Sequence, residues 1–136
     1  MTDLEFAKQN LAGNTICLSK DGALLVSGER GISPMMDFIA SGRNLSGWSA
    51  ADIIVGKAVA LLFVGCGIRG VYAKTLSEEG KRVLERAGVY IEYARLVSRI
   101  INRAGTDTCP MEKAVQSCDD PGKAYAVLKN KLASMI

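Results

Sequence analysis

The sequence predicts a single three-layer α/β/α domain over residues 1–136, with a mixed sheet that starts in an N-terminal hairpin. Two short apolar runs, 15–18 and 23–26, are separated by four residues ending in Asp21-Gly22, a pair that favours a tight hairpin turn. Later in the chain, strand, helix and strand patterns follow one another with short connections, which indicates a parallel βαβ unit. At 136 residues and 49% hydrophobic, the chain is long enough to bury one core.

The first half of the chain contains three predicted helices. Residues 4–11 form a short amphipathic pattern, and Ser33-Pro34 opens a second helix that closes near Gly42. Ser49 is a good N-cap for a third helix over residues 50–64, which is apolar nearly all round. Such a helix must be covered on most sides, so we expect it to be the central one.

The second half alternates strands and helices. Residues 71–76 read as a strand, Ser77 caps a helix that runs to residue 87, and β-forming residues over 89–93 predict another strand. A helix over 110–117 follows a loop, and Pro121 occupies the first position of a final helix. These elements complete the βαβ unit and place two helices at the end of the chain.

Cys109 is the one residue whose side chain the sequence marks as a candidate nucleophile. Because Pro110 suits the first helical position, Cys109 is the predicted cap residue, at the positive end of the helix dipole, which favours a thiolate. Glu112, at the third helical position, is expected to fold back onto the cap N–H. The chain has no histidine, so the commonest general base is absent. The alternative is that Cys109, like most cysteines, is a small buried hydrophobe.

Three segments resemble the motifs of a prokaryotic family known as domain of unknown function 1893. They are Gly31-Ile32-Ser33-Pro34, residues 51–58 (ADIIVGKA) and residues 101–115 (INRAGTDTCPMEKAV). The resemblance covers nearly the whole chain after the first helix. It implies a cytidine-deaminase-like fold and no established activity.

The zinc-binding motifs of deaminases do not carry over to this chain. A deaminase has a His-Ala-Glu or Cys-Ala-Glu at the start of its central helix, where we align Ala50-Ala51-Asp52. Its Pro-Cys-x-x-Cys motif aligns with residues 77–80, which contain no thiol. Because a zinc hydrolase needs about three protein ligands, we expect no metal and no other cofactor.

Asp52 and Lys57 are the charged residues of the predicted central helix. Asp52 is expected in its first turn, either as a helix-start acid or as a site residue. An unpaired buried ammonium is costly, so Lys57 must reach solvent, meet an internal carboxylate, or face a cavity that holds a ligand anion. On one helix the two residues would lie about 140° apart, which excludes direct pairing.

The loop that carries Asn102 and Arg103, followed by Gly105-Thr106, resembles a loop that could hold an anion. Arginine offers a planar fork for phosphate or carboxylate. The alternative is that Arg103 pairs with Glu112 or Asp107 and pins the loop.

Composition limits the class of partner and the location. The net charge is +3, basic residues are scattered and aromatic content is 6%, so a nucleic-acid interface is not expected. No apolar run is long enough for a membrane span, the four cysteines form no CxxC pair, and the N-terminus lacks a signal-peptide pattern. We therefore expect a reduced, cytoplasmic protein. The resemblance to deaminases also allows a homo-oligomer, although no pattern identifies a subunit surface.

Three functional hypotheses follow. In the first, a deaminase-like domain without its metal binds a small polar, nucleoside- or nucleotide-like ligand at the ends of the parallel strands. The second is a metal-independent enzyme with Cys109 as nucleophile or redox centre, and the third a structural or assembly protein. The candidate catalytic residues are Cys109 and Asp52, and the candidate ligand-binding residues are Lys57, Ser77, Asn102, Arg103 and Glu112.

Overall fold

A computed structural model describes residues 1–135. The helices are α1 (Asp3–Gln9), α2 (Ser33–Ala40), α3 (Lys57–Gly65), α4 (Glu78–Arg86), α5 (Pro110–Ala114) and α6 (Pro121–Ser134). The strands are β1 (Ile16–Lys20), β2 (Ala23–Ser27), β3 (Ser49–Val55), β4 (Gly70–Ser77) and β5 (Tyr90–Val97). None of the helices within residues 1–135 combines the length and apolar character needed to cross a bilayer.

The five strands form one mixed sheet in the order β2-β1-β3-β4-β5. Strand β1 is antiparallel to both β2 and β3, whereas β3, β4 and β5 are parallel. The hairpin turn between β1 and β2 has Asp21 at φ 49° and Gly22 at φ 85°, so both turn residues adopt the positive φ that the Asp-Gly pair predicts. The predicted mixed sheet with an N-terminal hairpin is confirmed.

The helices cover the two faces of the sheet unequally. On one face, α1 packs on β1, β3 and β4 over a small cluster that includes Ala7, Cys17 and Ala51. On the other face, the main core contains residues from all five remaining helices, among them Phe63 and Leu128. The three-layer α/β/α architecture is confirmed.

The predicted helix over residues 50–64 is wrong. The chain forms strand β3 up to Val55, passes Gly56 in an extended conformation, and only then enters α3 at Lys57. The run Ile53-Ile54-Val55 is β-branched and favours a strand. The central strand of a parallel sheet is buried on both faces, so its apolar run cannot be distinguished from a buried helix by periodicity.

The other elements differ mainly at their ends. The predicted cap of α4 and the predicted start of α6 are confirmed, since Ser77 Oγ accepts a hydrogen bond from Gly80 N at 3.0 Å and Pro121 opens α6. Strand β5 extends four residues beyond its predicted end, to Val97, and α5 stops at Ala114 rather than at residue 117.

Candidate functional site

A cavity of about 330 Å³ lies where the parallel strands end and helices α3 and α4 begin. Open α/β sheets usually bind ligands at this edge. Nine residues line the cavity: Lys57, Ser77, Glu79, Ser98, Arg99, Ile100, Thr108, Glu112 and Gln116. Most of these side chains are polar, and both signs of charge are present.

The structure brings together only some of the residues that the sequence predicted for a site. Lys57, Ser77 and Glu112 line the cavity. Asp52, Cys109, Asn102 and Arg103 do not. A ligand-binding role for the first three stays a prediction.

Lys57 pairs with an acid of the chain, but this carboxylate lies at the surface and not in the interior as predicted. Its Nζ lies 2.9 Å from Asp119 Oδ1 and donates to Gln116 O at 3.2 Å. The Lys57 side chain is 7% exposed and that of Asp119 is 74% exposed, so the pair connects the buried helix start to the surface. The hydrogen bond from Lys57 lowers the pKa of Asp119. Lys57 is therefore already paired with an acid at the edge of the cavity.

Glu112 caps a different helix from the one predicted. Instead of folding back on its own N-cap, it accepts hydrogen bonds from Lys57 N and Ala58 N, at 2.7 Å each, with its two carboxylate oxygens. These N–H groups have no partner within α3, so the carboxylate satisfies two donors at the positive end of the helix. Burial raises the pKa of Glu112, while the two hydrogen bonds oppose that shift.

Gly56 makes the contact between Glu112 and α3 possible. A Cβ at this position would overlap the Glu112 carboxylate and would lie 2.8 Å from Ile100 Cγ1. A side chain at position 56 would therefore push Glu112 away from the start of α3.

Arg99 is the residue that the sequence analysis missed. It follows strand β5, lines the cavity, and donates from Nη1 to Thr108 Oγ1 at 3.0 Å. Within residues 1–135 its guanidinium forms no salt bridge, so most of its donors remain available. Arg99 lies two residues after the observed end of β5 but six after the predicted one, so a correct strand end was the signal that could have identified it.

The other cavity residues supply neutral polar groups and one further acid. Ser98, Thr108 and Gln116 come from the chain after β5. Glu79 lies in the first turn of α4 and pairs with Arg82 at 2.5 Å, with both side chains about half exposed. Such a surface pair contributes little to stability and leaves Glu79 able to exchange partners.

The loop around Arg103 is fixed by other residues. Asn102 Oδ1 accepts a hydrogen bond from Thr106 N at 3.0 Å, and Asp107 pairs with Lys113. Arg103 is exposed and forms no salt bridge within residues 1–135. The predicted pairing of Arg103 with Glu112 or Asp107 is therefore wrong, because both acids are held elsewhere.

Cys109 occupies the predicted cap position, but its side chain makes no capping hydrogen bond. The helix that follows it has only five residues. The thiol is half-buried and packs against the main core, which agrees with the interpretation of Cys109 as a small hydrophobe. No contact assigns it a reactive role.

Asp52 lies in strand β3, not in the first turn of a helix. It is paired in register with Ile16 and Ala73, both members of the main core, and it is buried. Its Oδ1 accepts a hydrogen bond from Ile54 N at 3.3 Å. Burial raises the pKa of Asp52 to about 8, despite hydrogen bonds from backbone N–H groups that oppose the shift. Neither Asp52 nor Cys109 lines the cavity, and a catalytic role for these two residues stays a prediction.

The cavity does not provide the donor set of a zinc deaminase. Its acids are Glu79 and Glu112, and it contains no thiol or imidazole. Among residues 1–135, no three His, Cys, Asp or Glu side chains come together as a group that could hold a metal ion. Ala50-Ala51-Asp52 lies within β3, so the alignment of these residues with a helix-start motif is also wrong.

Comparisons with known proteins identify a family and a shared fold. The model of the family described as "Domain of unknown function (DUF1893)" matches residues 6–132. The crystal structure of a DUF1893 family protein from Thermotoga maritima is similar at a TM-score of 0.86 and 21% identity, covering 96% of this chain and 91% of that chain. An apo dCMP deaminase from the cyanophage S-TIM5 is similar at a TM-score of 0.49 and 14% identity, over 66% of this chain and 92% of that chain. No curated protein matches the chain.

Proposed function

The chain belongs to the DUF1893 family, and we propose that it binds a small polar ligand with an anionic group, such as a nucleotide or a sugar phosphate. The proposed site is the cavity at the carboxyl ends of β3, β4 and β5. Its volume, about 330 Å³, is at the lower end of the range of small-molecule sites, which favours a ligand of metabolite size.

The observation that supports this proposal most strongly is the state of Arg99. Its guanidinium is on the cavity wall with a neutral hydrogen-bond partner, Thr108, and forms no salt bridge in the part of the chain that the structure describes. A planar fork of this kind matches the oxygens of a phosphate or a carboxylate. The other cavity cation, Lys57, is already paired with Asp119, so Arg99 is the group that an anionic ligand would contact first.

Neutral polar groups around Arg99 would fix the rest of the ligand. Ser98, Thr108 and Gln116 offer hydroxyl and amide groups, and Glu79 can accept hydrogen bonds from ligand hydroxyl or amino groups. This combination favours a ligand that carries donors as well as an anion. We expect the ligand to bind without a metal ion. Protein purified without chelator should therefore contain no stoichiometric metal when its metal content is measured.

A thermal-shift panel tests the proposal. Inorganic phosphate, nucleosides, nucleotides and sugar phosphates are added to the wild type, to Arg99→Ala and to Arg103→Ala. The last variant is the matched control, because Arg103 is exposed on the adjacent loop and does not line the cavity. A ligand at about 100 times its Kd adds about 2.7 kcal/mol of stability, which raises Tm by several degrees.

We expect anionic compounds to stabilise the wild type and Arg103→Ala but not Arg99→Ala. Arg99→Lys should retain only part of the effect, because an ammonium cannot form the bidentate contact. A panel in which no compound stabilises the wild type, or in which Arg99→Ala responds as the wild type does, would refute the proposal.

A further inference from the structure

One wall of the cavity is a single stretch of chain, residues 98–119, which we call the strap. It contributes six of the nine lining residues: Ser98, Arg99, Ile100, Thr108, Glu112 and Gln116. The opposite wall consists of the starts of α3 and α4. The shape of the cavity therefore depends on how the strap is held against these two helices.

The first part of the strap is a loop that is tied to α5. Arg99 bonds to Thr108, and Cys109 N donates to Ile100 O at 2.9 Å. Lys113 of α5 pairs with Asp107 of the loop. These contacts make the loop and α5 one unit, so Arg99 moves when α5 moves.

The polar attachments of this unit converge on the start of α3. Glu112 accepts from Lys57 N and Ala58 N, while Gln116 O and Asp119 hold the Lys57 ammonium. Hydrogen bonds to a carboxylate are about twice as strong as neutral ones. Beneath them, Met111 and Val115 anchor α5 in the main core.

We propose that Glu112 is a positioning residue, a latch that fastens the strap to the start of α3 and so places Arg99 in the cavity. This consequence for Arg99 rests on the proposed function; the latch itself does not. Glutamine at position 112 keeps the shape of the side chain but loses its charge and one acceptor oxygen, leaving one N–H of α3 without a partner. The latch is then weakened, while the apolar anchor of α5 stays intact.

The alkylation rate of Cys109 by iodoacetamide measures the latch in the protein without any ligand. Cys109 is on the strap and is half-buried against the main core, so release of the strap exposes its thiol. Cys17 is the internal reference, because it is fully buried on the other face of the sheet and reports global unfolding. Each cysteine is followed by mass spectrometry of the digested protein.

We expect Glu112→Gln to accelerate alkylation of Cys109 about tenfold or more, with Cys17 unchanged. Asp119→Asn, which removes the carboxylate that holds Lys57, should accelerate it in the same direction and serves as a second variant if Glu112→Gln folds poorly. Glu85→Gln is the matched control, since Glu85 is exposed on α4 and does not line the cavity.

Two results would overturn the latch. One is an unchanged rate at Cys109 in both variants, and the other is an equal acceleration at Cys109 and Cys17, which would indicate global destabilisation only. The proposed function fails by a different measurement, since it depends on the response of Arg99→Ala to anionic compounds. The two failures are therefore distinguishable.

Discussion

Replacing Asp52 with asparagine should raise the free energy of unfolding at neutral pH, and the gain should disappear in acid. Asp52 is buried among apolar residues of the main core, 6% exposed, and has no cationic partner within residues 1–135. Keeping the carboxyl protonated avoids a buried charge, but the unfolded chain loses that proton readily. Asparagine has a similar shape and cannot ionise.

The size of the effect follows from the two pKa values. Burial raises the pKa of Asp52 from 3.8 to about 8 in the folded protein. Its contribution to stability is therefore fully present below pH 3.8 and is lost as the pH rises towards 8. At pH 7 the loss amounts to about 4 kcal/mol, since each unit of difference is worth about 1.36 kcal/mol. At pH 5 the loss is about 2 kcal/mol.

Urea denaturation of the wild type and Asp52→Asn at several pH values between 4 and 8 measures this difference. Burying the asparagine amide has its own free-energy cost, but that cost does not depend on pH. The dependence of the difference between variant and wild type on pH therefore reports the ionisation of Asp52 alone. Asp37→Asn is the control, because Asp37 is exposed on α2 and its replacement removes the same ionisable group from the unfolded chain. The difference in free energy of unfolding between Asp52→Asn and the wild type should rise with pH by nearly 1.4 kcal/mol per pH unit, which corresponds to the release of about one proton on unfolding of the wild type.

A difference between Asp52→Asn and the wild type that stays constant from pH 5 to pH 7.5 would refute the reasoning. It would mean that the carboxyl ionises in the folded protein near its ordinary pKa. A slope of the opposite sign would mean that the folded protein stabilises the carboxylate, which requires a positive partner that the described residues do not supply.

Three further predictions concern packing, the surface and the thiols. Gly56→Ala should lower the free energy of unfolding by about 1–3 kcal/mol in urea, because its Cβ would overlap the carboxylate that caps α3. Gly28→Ala, with open space around it, should change this free energy by less than about 0.5 kcal/mol, and equal effects of the two substitutions would contradict the prediction. A double-mutant cycle on Lys8 and Glu92, whose pair at 2.7 Å is partly exposed, should give a coupling of about 0.2–1 kcal/mol, and a larger value would show that the pair is better shielded than its exposure indicates. Burial raises the pKa of the Cys17 thiol, so iodoacetamide near neutral pH should modify Cys17 only on unfolding, and modification at the rate of the half-buried cysteines would be the contrary result.

The fold was predictable wherever local chemistry is decisive. Asp21-Gly22 specifies a tight turn, Ser77 caps α4, and Pro121 opens α6, each through contacts within a few residues. The largest error was the helix predicted at residues 50–64. It arose because β3 and α3 are both buried, so their apolar residues form one continuous run in the sequence. Only Gly56 and the β-branched run before it indicated the change from strand to helix.

The location of the site could be predicted from the sequence, but the set of residues that line it could not. The rule for open sheets indicates the carboxyl ends of the parallel strands, where the cavity lies, and the sequence selected Lys57, Ser77 and Glu112 from that region. The sequence analysis chose Arg103 instead of Arg99, because both are exposed arginines that follow β5 and nothing local shows which of them lines a cavity.

By itself, the sequence determined the layers, the hairpin and the helix caps, since these depend on backbone preferences and neighbouring side chains. Tertiary structure alone decided that Glu112 caps a helix 55 residues away, and that Asp52 is enclosed by apolar groups. Both outcomes depend on which distant segments meet in the folded chain. The free energy of a charged group depends on the hydrogen-bond donors and the water around it, and both are determined by the folded structure.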